Sequence, residues 1–273
     1  MKKIKFIVCY FGEWPVWFDG FLLSCKYNED IDWLFFTDCK IPNNYPPNVE
    51  FVKYSIKEFN ELASSKLDLD INVPYAYKFC DFKVTYGCVF QDYLDGYDFW
   101  GFCDIDIIFG DITKFVEDKL NTNDIFSTRK QMIAGHFTLF RNTEKVNNLF
   151  KLCERGAYKR LLSDDKYKFF DEVRLTKLLK KRRIKHKVSW NTWLINFPPE
   201  VSAKRKHAPS RLYPNDGPWH WNKGKLFIDS VEVMYLHFMP WKDSIKNINF
   251  NYEDDVDSFY ISHVGLEAEN DKS

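Results

Sequence analysis

Two aspartates, Asp104 and Asp106, follow the apolar run 97–103 and are separated by one residue. Carboxylate oxygens are preferred ligands of Mg²⁺ and Mn²⁺, and these cations bridge carboxylates to phosphates. Such a pair alone is a weak signal, because a chain with 39 acidic residues also places such pairs in solvated turns. Here apolar residues stand on both sides, and burying carboxylates among them is costly unless a cation or hydrogen bonds compensate. The pattern therefore predicts a site for Mn²⁺ or Mg²⁺ at Asp104 and Asp106, whereas Asp111 is expected to cap a helix.

The elements around this pair predict an α/β fold with a mixed, mostly parallel sheet flanked by helices. Apolar runs typical of strands cover residues 4–10, 32–37, 49–54, 97–103, 124–128, 136–142 and 232–241. Helical spacing of apolar residues covers 14–26, 75–94, 144–162 and 169–183. Ligands of open α/β sheets bind beyond the carboxyl ends of strands, and the aspartate pair is expected at such an end.

Composition excludes several classes of protein. Lysine plus arginine equals aspartate plus glutamate, 39 each, so a nucleic-acid partner is not expected. The seven cysteines include no C-x-x-C pair, which favours reduced thiols over disulfides or a zinc site. No apolar stretch is long enough to span a membrane, and the apolar start reads as a first strand rather than a signal peptide. These features predict a cytoplasmic protein.

The segment PYAYKFCDFKVTYGCVFQDYLDGYDFWGFCDIDIIFGDI, residues 74–112, resembles a family of bacterial glycosyltransferases found with capsule and O-antigen assembly. These enzymes have the GT-A-type fold of nucleotide-diphospho-sugar transferases, with a DxD motif at a strand end. The resemblance implies a single GT-A-like domain, expected over residues 1–248, with a divalent metal and a sugar nucleotide that is commonly UDP-linked, but it does not fix the sugar. The acidic, polar residues 249–273 are expected to form a peripheral tail. We expect transfer of a hexose, with galactose or glucose favoured, from a UDP-sugar to a hydroxyl of a surface polysaccharide or a lipid-linked glycan.

A second, more distant resemblance concerns HFMPWK, residues 237–242. In many retaining GT-A enzymes a late histidine binds the metal and a nearby lysine touches the diphosphate, within a His…Lys-Pro-Trp type segment. The resemblance implies that His237 is a third metal ligand and that Lys242 contacts the donor phosphates. The order of Pro240, Trp241 and Lys242 departs from that pattern. The alternative for His237 is a core histidine whose polar nitrogen is satisfied by a hydrogen bond, and the metal role is the favoured of the two.

The loop after the first strand is where folds of this type hold the nucleoside. We therefore predict donor contacts at Tyr10, Phe11 and Gly12, although both aromatics also fit a core. Asp38, at the end of the second strand, is expected either to accept a hydrogen bond from the base or to stabilise a turn.

Further donor contacts are expected before and after the aspartate pair. Lys78 is expected to meet the diphosphate and Asp81 to orient the sugar, the alternative being a surface ion pair one helical turn apart. Lys83 is a weaker candidate of the same kind. Gly135 and His136 precede a strand and are expected to line the sugar pocket, since glycine permits close approach of a ligand. His136 also fits a structural role.

Asp171 and Glu172 lie at an expected helix start, where the helix dipole favours acids. The alternative is a catalytic role near the acceptor, in which one carboxylate deprotonates the acceptor hydroxyl or stabilises an oxocarbenium-like state. The basic run 177–187 fits a solvated helix end or, alternatively, peripheral contact with anionic lipid at the inner membrane face. The tryptophan-rich residues 219–222 fit either an acceptor platform or packing.

Two other functions fit a nucleotide-binding α/β fold. A sugar nucleotidyltransferase usually carries a glycine-rich, basic loop after its first strand, and FGEWPVW lacks one. A non-catalytic sugar-binding module would bind glycan without nucleotide or metal.

Overall fold

The computed structural model describes residues 2–129, 132–181, 187–190, 219–228, 230–254 and 256–269. Its first strands are β1 (Ile4–Tyr10), β2 (Ile31–Thr37), β3 (Val49–Lys53), β4 (Phe99–Cys103), β5 (Ile107–Phe109), β6 (Ile125–Ser127), β7 (Phe137–Arg141) and β8 (Val188–Trp190). Within the described residues, all of these except β5 form one sheet in the order β3-β2-β1-β4-β7-β6-β8. Neighbouring strands are parallel except that β7 runs antiparallel to both β4 and β6. This mixed, mostly parallel sheet, with the aspartate pair at the end of β4, confirms the predicted fold class.

The helices are α1 (Phe18–Lys26), α2 (Ile56–Leu67), α3 (Phe79–Phe82), α4 (Tyr86–Val89), α5 (Ile112–Thr122), α6 (Glu144–Asn147), α7 (Ala157–Ser163) and α8 (Leu175–Leu179). They cover both faces of the sheet. Successive strand residues point to opposite sides, so both faces carry apolar side chains that the helices bury. Ile7 and Leu34 contribute to one core with α2 and α4, whereas Phe6 and Trp33 contribute to another with α1 and α5. None of the helices in the described ranges has the length and apolar content needed to cross a membrane.

Two long helices expected from apolar spacing are shorter and broken. Residues 75–94 form α3 and α4 with single 3₁₀ turns before, between and after them. The Thr85 hydroxyl donates to the carbonyl of Phe82 at 2.7 Å, a local bond that competes with regular helix geometry. Residues 144–162 are interrupted at Arg155 and Gly156, which both have positive φ. Residues 169–183 begin with a π-helical turn, Phe170–Arg174, that continues into α8.

The later strands are β9 (Trp219–Asn222), β10 (Lys225–Ile228), β11 (Val231–Val233), β12 (Tyr235–His237), β13 (Asn247–Ile248), β14 (Ser258–Ile261) and β15 (Gly265–Ala268). In the part of the chain that is described, all of these except β12 form a second sheet in the order β11-β10-β9-β14-β15-β13, whereas β12 pairs with β5. The prediction of a peripheral polar tail at 249–273 is therefore wrong for 258–268. Phe259, Ile261 and Leu266 are buried in a third core, so these strands complete the sheet. The domain boundary at 248 stays a prediction.

Candidate functional site

The aspartate pair meets His237 through the short ladder of β5 and β12. Asp104 and Asp106 lie in the connection from β4 to β5, and β12 pairs antiparallel with β5 so that His237 lies opposite Ile107. The amide of Phe238 also donates to the carbonyl of Asp106 at 3.0 Å. One oxygen from each aspartate and one imidazole nitrogen of His237 all lie within 4.8 Å of one another. The structure thus brings together the three residues expected to bind a metal.

Asp106 is the most buried member of this cluster, at 1% exposure. Both of its carboxylate oxygens, and Nε2 of His237, are buried without a hydrogen bond from the described residues. His237 Nε2 lies 3.3 Å and Lys242 Nζ 2.8 Å from Asp106 Oδ2, which are ion-pair distances without hydrogen-bond geometry. Burial opposes ionisation of Asp106, but His237 and Lys242 outweigh it and lower the pKa of this carboxyl. A buried carboxylate with unfilled acceptor positions beside a histidine nitrogen fits a divalent cation.

Lys83 lies on the other side of Asp104. Its ammonium group donates to Asp104 Oδ1 at 2.5 Å and to the carbonyl of Gly135 at 2.7 Å. Burial alone would lower the pKa of Lys83, but Asp104 raises it above the ordinary lysine value. Lys83 is therefore a fixed positive charge, and it lies at the junction of two adjoining cavities.

The first cavity, of about 210 Å³, opens beside the carboxyl end of β1. Tyr10 and Phe11 line it, together with Lys83, Asp104 and Lys242. The Phe11 ring stacks on Phe79 with the ring centroids 4.7 Å apart. The lining of this cavity therefore combines apolar, aromatic side chains with two lysines.

Gly12 and Asp38, the other two residues expected to contact the nucleoside, do not line this cavity. The amide of Gly12 donates to Asp38 Oδ1 at 2.7 Å, and Gly12 adopts a φ of 111° that favours glycine. Asp38 therefore stabilises the turn after β1, which is the structural alternative considered for it.

The second cavity, of about 250 Å³, contains Asp171 and Glu172, the predicted catalytic acids. The Tyr167 hydroxyl donates to Asp171 Oδ1 at 2.8 Å, and Arg129 Nη1 donates to Glu172 Oε1 at 2.8 Å. Burial raises the pKa of Asp171 to about 7, against the opposing effects of Lys83 and the Tyr167 hydrogen bond. Asp171 can therefore exchange a proton near neutral pH, while Arg129 holds Glu172 in place.

Gly135 allows these acids to approach the backbone. A Cβ atom there would lie 2.6 Å from Asp171 Oδ2 and 2.9 Å from Glu172 Cγ, so no larger residue fits without displacing them. The Gly135 amide donates to Glu172 Oε1 at 3.1 Å. Gly135 was expected to make room for a sugar. This expectation is wrong, because the carboxylates of Asp171 and Glu172 fill the space beside it.

His136 lies behind His237 and also borders the second cavity. Their rings stack with centroids 4.1 Å apart, and His136 Nε2 lies 2.8 Å from the Tyr235 hydroxyl, which donates to Thr128 Oγ1 at 2.6 Å. Burial lowers the pKa of His136 well below the ordinary histidine value. Neutral His136 therefore orients the ring of His237.

The prediction that Lys78 and Asp81 contact the donor is wrong, because both side chains are completely buried away from the cavities. Lys78 Nζ lies 2.8 Å from Asp81 Oδ2 and donates to the carbonyls of Leu161 and Lys166. Asp81 accepts hydrogen bonds from the amides of Lys168 and Phe170, each at 2.8 Å. Their spacing indicated an ion pair at the surface, whereas the pair is buried. It anchors the segment that leads to Asp171.

Two acceptor-side expectations have different outcomes. Trp219 and Trp221 are fully buried in the core of the second sheet, so packing is the correct alternative for residues 219–222. In the basic run 177–187, residues 182–186 lie outside the described residues. Membrane contact by this run stays a prediction.

Comparison with known protein families assigns the chain to one of them. Residues 6–270 match a family of unknown function, DUF6625. The chain belongs to the DUF6625 family. The DUF6625 match spans both sheets and every candidate residue described above. No curated protein sequence matches that of the chain.

Two solved structures of LgtC are similar to this DUF6625 chain at low sequence identity. One is the galactosyltransferase LgtC in complex with donor and acceptor sugar analogues, with a TM-score of 0.37 and 11% identity over 64% of this chain and 69% of LgtC. The other is an active-site mutant of LgtC, with a TM-score of 0.39 and 14% identity over 77% of this chain and 80% of LgtC.

Proposed function

We propose that this protein is a metal-dependent glycosyltransferase with a GT-A-like fold, which transfers a hexose from a UDP-sugar to a hydroxyl of a surface polysaccharide. Galactose and glucose are the favoured donor sugars. The observation that carries the proposal is the cluster of Asp104, Asp106 and His237, in which buried Asp106 oxygens lack hydrogen bonds at the end of a strand. A glycosyl transfer that expels a diphosphate needs positive charge at that position.

Asp104, Asp106 and His237 would hold Mn²⁺ or Mg²⁺. The bound cation would supply positive charge to the leaving diphosphate. Lys242 supports this assignment, because its ammonium group borders the first cavity and already lies 2.8 Å from Asp106. Lys83 presents a second positive charge at the same junction.

The first cavity suits a nucleoside diphosphate. Tyr10 and Phe11 offer aromatic surface for a base, while Lys83 and Lys242 offer charge for phosphates. This combination favours an activated sugar over a free sugar, which carries neither a base nor phosphates.

The second cavity suits the acceptor side of the reaction. Asp171, with its pKa raised to about 7, can accept a proton from a hydroxyl at neutral pH. Glu172, held by Arg129 and the Gly135 amide, presents a fixed carboxylate in the same cavity. We assign proton transfer to Asp171 and a positioning or charge-stabilising role to Glu172. Location at the inner membrane face stays a prediction.

A panel of sugar nucleotides tests the proposal. With Mn²⁺ present, UDP-galactose or UDP-glucose should raise the melting temperature by several degrees, because a ligand at about 100 times its Kd stabilises the folded state by about 2.7 kcal/mol. The same donor should release UDP, and EDTA should abolish both effects. Failure of every sugar nucleotide to stabilise the protein or release its nucleotide, with either Mn²⁺ or Mg²⁺, would refute the proposal.

A further inference from the structure

Exposed aromatic side chains edge the mouth of the second cavity. Tyr77 is 64% exposed and Phe169 is 52% exposed, and both line the cavity together with Tyr167. The rings touch in sequence: the centroids of Tyr77 and Tyr167 lie 5.0 Å apart, and those of Tyr167 and Phe169 lie 4.3 Å apart. We call Tyr77, Tyr167 and Phe169 the aromatic rim. Single exposed apolar residues are ordinary, but a contiguous cluster at a cavity mouth indicates a binding surface.

The backbone of Phe169 has an unfavourable conformation. Phe169 has φ 57° and ψ 39°, a left-handed conformation that bulky residues rarely adopt. It also directly precedes the π-helical turn Phe170–Arg174, an uncommon feature that recurs at functional sites. Such strain persists only where the surrounding structure imposes it.

The buried pair of Lys78 and Asp81 imposes this conformation. Asp81 accepts hydrogen bonds from the amides of Lys168 and Phe170, the two residues that flank Phe169. Lys78 neutralises Asp81 and donates to the carbonyl of Lys166 at 3.1 Å. The segment is therefore fixed from inside the protein on both sides of the exposed ring, so the rim is a preformed surface.

Polar groups lie within the same cavity as this apolar rim. Asp171, Glu172 and Arg129 line the cavity together with the rim residues. A hexopyranose has a face of C–H groups and an edge of hydroxyls, so an aromatic ring covers the face while carboxylates and a guanidinium bind the edge. An acyl chain would shield the solvent-exposed parts of Arg129 and Glu172 from water without offering hydrogen bonds in return, which is costly.

We infer that the aromatic rim binds the acceptor, and that the acceptor presents a hexopyranose ring stacked on Phe169 with its hydroxyls toward Asp171 and Glu172. The inference rests on the proposed function, because the two cavities share Lys83 and Asp104 and so place this sugar beside the donor site. Phe169 is the residue to substitute in a test of acceptor binding, because it borders the second cavity and not the first. Tyr77 borders both cavities, so its substitution would affect the donor side as well.

Binding of simple glycosides tests the rim without requiring turnover. Saturation-transfer NMR would be recorded with methyl β-galactopyranoside and methyl β-glucopyranoside on the wild type, F169Y, F169L and the control Y45L. Tyr45 is also an exposed aromatic, at 40%, but lies outside both cavities. F169Y and Y45L should bind a glycoside as the wild type does. F169L, which keeps apolar bulk without a ring face, should bind about tenfold more weakly.

Equal binding by F169L and the wild type, or no glycoside binding by the wild type, would overturn the inference. Circular dichroism of F169Y and F169L establishes that both variants are folded before binding is compared. The same glycosides would then serve as acceptors for UDP release, where F169L should raise the glycoside KM about tenfold and Y45L should not change it.

The two proposals fail in different ways. If the wild type releases UDP from no donor while the NMR contrast between F169Y and F169L holds, the proposed function is wrong and the sugar-binding rim stands. If the wild type does release UDP and F169L keeps the wild-type KM for the glycoside, the rim inference is wrong and the transferase stands.

Discussion

His237 Nε2 lies 3.3 Å from Asp106 Oδ2, although 130 residues separate the two side chains in sequence. The ladder of β5 and β12 produces this proximity, because it aligns His237 with Ile107, the residue after Asp106. A late strand thus completes a cluster that begins at the end of β4.

Replacing His237 with alanine should weaken Mn²⁺ binding by at least about tenfold, because the cluster would lose its nitrogen ligand. The measurement is a titration of Mn²⁺ followed by electron paramagnetic resonance. His220→Ala is the matched control, since His220 bonds to Ser258 and Glu269 in the second sheet. Wild-type Mn²⁺ affinity in His237→Ala would show that this histidine is structural.

Gly135→Ala should reduce turnover by about a hundredfold, because its Cβ must displace Asp171 and Glu172 and small misplacements of catalytic groups have effects of this size. Mn²⁺ affinity should change far less, because the three atoms nearest to the new methyl group belong to Asp171 and Glu172 and not to the metal cluster. Both quantities are measured on one preparation. Full turnover in Gly135→Ala would mean that the two acids have no role in the reaction.

Lys78→Met should lower the free energy of unfolding by about 3–5 kcal/mol, because it leaves the buried Asp81 carboxylate without its cation. Lys57→Met is the control, because Lys57 is 86% exposed in its ion pair with Glu61. This substitution should lower the free energy of unfolding by less than about 1 kcal/mol. Urea unfolding measures both. Equal effects of the two substitutions would contradict the anchoring role of Lys78.

The contribution of Asp171 to stability should fall as the pH rises from about 4 to 7, because burial raises the pKa of this carboxyl from 3.8 to about 7. Between these values the folded protein binds more protons at Asp171 than the unfolded chain, so raising the pH favours unfolding. Lys83, Tyr167, Glu172 and Asp104 are the charged or titratable groups that act on Asp171.

Asp171→Asn removes this ionisation. Between pH 5 and pH 8 the free energy of unfolding of the variant should therefore rise relative to that of the wild type by at most about 2.7 kcal/mol, because about two pH units of this range lie below the raised pKa. Urea unfolding at the two pH values measures the gain. A difference between variant and wild type that does not change with pH would contradict the raised pKa.

The position of the aspartate pair at a strand end could be predicted from the sequence alone. Asp104 and Asp106 are separated by one residue and follow a strongly apolar strand, so local pattern alone places them at a strand end. His237 required a resemblance, because no local pattern reports that β12 pairs with β5. Tyr10 and Phe11 were predicted by their position after β1, and both line the first cavity.

Other features depended on packing that local patterns do not encode. Lys78 and Asp81 have the spacing of a surface ion pair, and their complete burial follows from tertiary contacts with residues 161–170. Tyr167 and Phe169 carried no motif, so the aromatic rim was missed. Helix α2 was also missed, although Ser55 and Glu58 form a capping box that marks its start in the sequence.

Nucleotide release in the presence of metal tests the central claim most directly. UDP release from the best UDP-hexose would be measured with and without Mn²⁺ for the wild type, Asp106→Ala and the control Asp111→Ala. Asp111 is the neighbouring acid, but it caps α5 by accepting from the Lys114 amide at 2.9 Å. The account predicts that Asp111→Ala keeps Mn²⁺-dependent release and that Asp106→Ala loses at least about a hundredfold, as expected when a metal ligand is removed. Undiminished release by Asp106→Ala would contradict the metal site and the function built on it.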